Sequence, residues 1–139
     1  MYVLTLPEKR LLRQIASFYG CKVKFEHRPG GVFIGKYIKI GYKGTRREIF
    51  SIFCHELAHF INWKTGRYPI YHNPKNFDNF HKCFRSYGQL VRYSLNAEIF
   101  TDKQGAKLCK EWFPGIKYEI LYKNTKLCYE FLAGYYFRG

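Results

Sequence analysis

The sequence predicts an α+β fold: a short three-stranded N-terminal sheet followed by helices, in one domain spanning residues 1–139. Three observations carry this. Two Thr-x-x-Glu patterns, Thr5 to Glu8 and Thr45 to Glu48, each open a run of apolar residues at helical spacing. Apolar and polar residues alternate from Cys21 to His27, and a further helical periodicity begins near Phe77. The chain's 139 residues are enough to bury a core without disulfide or metal staples, and 13 Phe, 13 Tyr and 2 Trp supply large side chains to fill it. That aromatic content excludes an intrinsically disordered chain despite the high charge.

In chain order, Thr5 caps a helix expected to reach about Tyr19. Leu11, Leu12, Ile15, Phe18 and Tyr19 form its apolar positions, Pro7 is tolerated in the first turn, and Gly20 ends it. Cys21, Val23 and Phe25 then face one side of a strand while Lys22, Lys24 and Glu26 face the other. Arg28 to Gly31 is turn chemistry, and Val32–Ile34 and Lys36–Ile40 read as two more strands broken at Gly35. After a loop at Gly41 to Gly44, Thr45 opens a second helix that runs to about Lys64 and closes at Gly66. Arg67 to Asn76, with two prolines, reads as a loop. Phe77, Phe80, Phe84, Tyr87 and Val91 then predict a helix to about Tyr93, and Ser94 can cap another from Leu95 to Lys110; the sequence leaves one helix or two open. Phe113-Pro114-Gly115 stops this stretch, and the tail mixes alternation with a short helix around Leu127 to Leu132.

The five cysteines, Cys21, Cys54, Cys83, Cys109 and Cys128, are scattered, without a C-x-x-C pair. Such a set argues for packed, reduced thiols in a cytoplasmic setting rather than a disulfide framework or zinc ribbon. No apolar stretch is long enough for a membrane span, and Glu8, Lys9 and Arg10 interrupt the region where a signal peptide would place its apolar run. The formal charge of +14 favours anionic partners, nucleic acid among them, but no basic run exceeds two residues. Lys36, Lys39, Lys43, Arg46 and Arg47 precede the second helix and are expected to line one side of its cleft.

That second helix carries His55-Glu56-Leu57-Ala58-His59. Residues four apart share a helix face, so both imidazoles can meet one ion while Glu56 leans over it. This composition yields on the order of one accidental H-E-x-x-H match per hundred such chains. Ile49, Ile52, Phe53, Leu57, Phe60 and Ile61 offer an apolar side, with Ser51 and Asn62 read as polar-side residues. A catalytic site needs a third protein ligand, for which Glu98, His72 and His81 are candidates. Glu98 and Asp102 also sit four apart, so Glu98 can ligate while Asp102 accepts the remaining N–H of a ligating histidine. His72, His81 or Tyr71 is a candidate oxyanion donor or, for the histidines, an alternative ligand; His27 reads as structural.

The combination of His55-Glu56-Leu57-Ala58-His59 with Glu98-Ile99-Phe100-Thr101-Asp102 resembles the gluzincin metallopeptidases, and in size their smallest members, the minigluzincins. ImmA/IrrE-type regulators and SprT-like DNA-linked proteases are more distantly similar. The resemblance implies a small zincin-like domain holding Zn²⁺ on His55, His59 and Glu98, with Glu56 as general base. It also implies an edge strand, placed at Lys36 to Ile40, above the active-site helix. The expectation is therefore a zinc metallopeptidase acting on a peptide or protein substrate. A basic nucleic-acid-associated or regulatory zinc module without turnover is the alternative, and a peptidoglycan hydrolase is disfavoured by the absence of an export signal.

Overall fold

The computed structural model of the chain describes residues 3–72, 80–123, 126 and 130. It is α+β, with a three-stranded sheet near the N-terminus followed by helices. Helix α1, Leu6–Phe18, begins at a complete capping box: Thr5 accepts from the Glu8 amide and the Glu8 carboxylate accepts from the Thr5 amide. Gly20, at φ +82°, turns the chain out of the helix. Its buried stripe is Leu12, Ile15 and Ala16. Leu11 and Phe18, which the periodicity assigned to the apolar side, are exposed.

Strands β1 (Lys22–Glu26), β2 (Gly31–Ile34) and β3 (Tyr37–Gly41) form a sheet in the order β1-β3-β2. β3 runs parallel to β1, with Val23 beside Ile38, and antiparallel to β2, with Phe33 beside Ile38. Gly35, at φ +56°, opens the two-residue turn between β2 and β3. The strand expected at the sheet edge over Lys36–Ile40 is thus the central one. β1 and β2 are the edge strands, and β2 lies against the following helix.

Helix α2, Arg46–Lys64, starts at Thr45, whose hydroxyl accepts from the Glu48 amide. Only that half of the capping box forms; the Glu48 carboxylate accepts from the Thr45 hydroxyl at 3.1 Å. α2 packs between the sheet and helix α4, Tyr87–Trp112, and is buried over most of its circumference. Ser51 and Asn62 are therefore inside, not on a wet face: Ser51 Oγ accepts from the Glu119 amide at 2.9 Å, and Asn62 donates to Thr101 Oγ1 at 3.1 Å. The core joins Leu12 and Ile15 of α1, Ile38 and Ile40 of β3, Phe50, Phe53 and Leu57 of α2, and Leu108 and Phe113 from α4 and its end.

Two expectations between α2 and α4 change. The segment read as loop contains a short helix α3, Pro69–His72, with proline at its tolerant first position. The periodic run from Phe77 does not make one helix to Tyr93. Phe80–Cys83 is a 3-10 turn, residues 77–79 lie outside the described residues, and α4 begins at Tyr87 behind Ser86. Ser94, read as a possible cap, is buried within α4, which continues unbroken. The predicted Leu127–Leu132 helix and Cys128 lie outside the described residues. Among the described cysteines none forms a disulfide, and Cys21, Cys54 and Cys109 are buried. No helix among the described residues is long and apolar enough to cross a membrane.

Candidate metal centre

His55 and His59 project from the α2 face that meets α4, and Glu98 comes from α4 opposite them. All three are buried. Their approaching atoms are His55 Nε2 and His59 Nε2, 3.1 Å apart, with Glu98 Oε2 2.9 Å from the first and Oε1 3.2 Å from the second. A tetrahedral metal bound at about 2.0–2.1 Å spaces its ligand atoms about 3.3 Å apart, close to this arrangement. The residues thus fit a cation: two imidazole nitrogens and one carboxylate, all buried, converge on one point. Among the described residues, these are the three His, Cys, Asp or Glu side chains grouped closely enough to hold a metal ion.

Outer contacts decide which nitrogen of each ring faces the centre. His55 Nδ1 lies 2.9 Å from Asp102 Oδ1. A carboxylate can only accept, so Nδ1 keeps its proton towards Asp102, and Nε2 is the nitrogen left to give up its proton and present a lone pair to a cation. Asp102 is itself fixed by the Tyr118 hydroxyl at 2.6 Å and by the Leu121 and Tyr122 amides at 3.1 and 2.7 Å. Gly105 makes room for Tyr118, since a Cβ there would stand 2.6 Å from the Tyr118 hydroxyl oxygen.

His59 Nδ1 meets His72 Nε2 at 2.9 Å, and His72 Nδ1 lies 2.9 and 3.1 Å from the Arg67 and Tyr68 carbonyl oxygens. The two carbonyls require a proton on His72 Nδ1, so its Nε2 accepts from His59. This leaves His59 Nε2, too, as the nitrogen to present a lone pair to a cation. His72 therefore stands behind His59 and not among the converging atoms, because both its ring nitrogens are engaged. Tyr68, at φ +49°, turns the chain so that α3 brings His72 back beneath α2. The His81 side chain lies outside the described residues. The Tyr71 hydroxyl donates to Glu98 Oε1, and His27 packs beside Tyr42 away from the centre.

Charge follows this geometry. Burial opposes ionisation of His55, but hydrogen bonds to Asp102 and Glu98 overcome it and push the imidazole up to about 10. Burial would raise Glu98, yet the adjacent His59 and His55 hold it well below the usual carboxylate range. Asp102 is likewise lowered against its burial by His55 and Tyr118. Burial, reinforced by His59 nearby, lowers His72 to about 4, so it is neutral at physiological pH. Glu56 is the contrast: burial raises it, with His59 and His55 only partly offsetting the effect.

Glu56 also touches the sheet. A Cβ on Gly31 would come within 2.5 Å of Ile52 Cγ2 and 3.0 Å of Glu56 Cγ, so glycine permits β2 to lie directly against α2 at this carboxylate. Gly31 and Tyr118 had not been singled out for the site. The first depends on strand order, and the second lies in a tail with no helical or ligand spacing to mark it. Comparison with protein-family models, with curated proteins and with solved structures finds no match, so the chemistry of this centre rests on its own residues.

Proposed function

We propose that the chain is a zinc-dependent metallopeptidase that hydrolyses peptide bonds, with Glu56 as general base. The observation that carries this reading is the convergence of His55, His59 and Glu98 beside the buried carboxylate of Glu56. The nitrogen-rich, buried donor set suits Zn²⁺, which when bound polarises a carbonyl and lowers the pKa of water. A purely structural site would have no need of an ionisable base beside it.

The protein's own groups then have distinct tasks. Glu56 takes a proton from the attacking water and returns it to the leaving amine. Tyr71 orients the Glu98 carboxylate, while Asp102 and His72 hold the two imidazoles in their tautomers. Among the described residues, β2 pairs only with β3, so its outer edge can receive an extended peptide by strand addition, running past Glu56.

The test is Glu56→Gln, which keeps shape and hydrogen bonding but removes the base. Zinc content and melting temperature should match the parent, while cleavage of an unfolded protein or fluorogenic peptide pool falls by at least about a hundredfold. Activity within a few-fold of the parent would assign water activation elsewhere, and a zinc-loaded parent inactive across broad peptide pools would favour the module without turnover.

A further inference from the structure

The basic residues expected to line the cleft are largely occupied elsewhere. Lys39 pairs with Glu26, Arg46 with Glu8, and Arg47 donates to the Lys117 and Tyr118 carbonyls. Basic side chains gather instead where the starts of β1 and β3 meet the last turns of α2. There a cavity of about 640 Å³ is lined by Lys22, Lys24, Lys36 and Lys64, with Tyr37, Phe60 and Trp63 among its walls. No acidic side chain lines it. Two of the lysines are already engaged: Lys24 lies 4.6 Å from the Tyr37 centroid, and Lys64 lies 5.9 Å from that of Phe60 and donates to the Tyr19 carbonyl at 3.0 Å. Lys22 and Lys36 are exposed and sit beside these aromatic walls.

We propose that this groove binds a segment of single-stranded nucleic acid, phosphates among the lysines and a base against the aromatic wall at Tyr37 and Trp63. Each half of the lining needs its counterpart. Lysines without acidic neighbours call for a polyanion, and a mainly aromatic wall calls for a flat apolar surface; an unpaired nucleotide strand carries both. A duplex keeps its base faces stacked inside and would meet only the lysines, while an acidic peptide would match the charge and leave the rings unused. The volume lies in the range of pockets that enclose small organic groups. The inference is independent of any reaction at the metal centre.

The experiment titrates a short oligothymidylate into the full chain carrying Trp112→Phe, which leaves Trp63 as the sole tryptophan. Binding should quench Trp63 emission and weaken steeply with salt. Lys22→Glu with Lys36→Glu should lower affinity by about tenfold or more and reduce the slope of log affinity against log salt by about 1.4, as expected for two lost phosphate contacts on a single strand. Lys103→Glu with Lys107→Glu, an equal charge change on the exposed side of α4, should have a much smaller effect. Thermal melting would confirm that both variants fold. The proposal is overturned by absence of binding, by binding that leaves Trp63 emission unchanged, by equal losses in the two double variants, or by duplex DNA or polyglutamate competing as well as the oligonucleotide.

Discussion

At the residue scale, the usefulness of His55 and His59 as ligands depends on what stands behind them. Asp102 and His72 each accept an Nδ1 proton and so leave Nε2 to present a lone pair to a cation. Asp102→Asn and His72→Ala should therefore each weaken zinc binding by about ten to a hundredfold, measured by competition with a chromophoric chelator. His72→Ala also frees the His59 ring to change tautomer, so its cobalt-substituted spectrum should shift while the fold persists. The pH dependence follows from His55, which holds a proton up to about pH 10 in the metal-free protein. Ligation must displace that proton, so log apparent affinity should rise by about one per pH unit between neutrality and pH 9; a flat profile would contradict the raised pKa. His72 acts in the other direction on stability. Its folded pKa of about 4 lies below the ordinary 6.5, so its contribution is complete above 6.5 and is lost as pH falls towards 4. The shared faces of His55 with His59 and of Glu98 with Asp102 were legible because four-residue spacing on a helix fixes them before any tertiary contact is known. The orienting role of His72 was not, since it requires the positive φ of Tyr68 and the short helix behind it.

At the element scale, β2 and α2 must lie close enough for the sheet edge to reach Glu56, and Gly31 sets that distance. Gly31→Ala places a methyl against Ile52 and Glu56. It should destabilise by about 1–3 kcal/mol in urea melts and reduce the proposed peptidase activity by more than the lost folded population explains. Gly30→Ala is the control: Gly30 needs a positive φ of +84° but has nothing within 4 Å of its Cβ position. It should cost stability through backbone strain alone and leave activity per folded molecule unchanged. The three strands were readable from alternation and turn residues, but their order was not. Alternation marks which face of Lys36–Ile40 is buried without revealing which neighbour pairs on either side, and so the central strand was mistaken for the edge. Ser94 misled for a related reason: a buried serine inside α4 has the same sequence appearance as a cap between two helices.

At the scale of the whole molecule, the centre lies across the packed interface of two helices, with His55 and His59 from α2 and Glu98 from α4. A bound metal should act as a staple between them. Zinc in excess of its dissociation constant by a thousandfold would stabilise the fold by about 4 kcal/mol, read as a raised melting temperature that a chelator reverses. The net charge was legible as a number, but its placement was not, because long side chains such as Arg46 and Arg47 find partners remote in sequence. The account stands on the claim that Glu98 completes the ligand set. Its most direct test is the metal content of purified protein after exhaustive dialysis, compared among parent, Glu98→Ala and His81→Ala. About one zinc per chain in the parent and in His81→Ala, with loss from Glu98→Ala, is the predicted result. Full zinc retention by folded Glu98→Ala, or loss from His81→Ala alone, would contradict it.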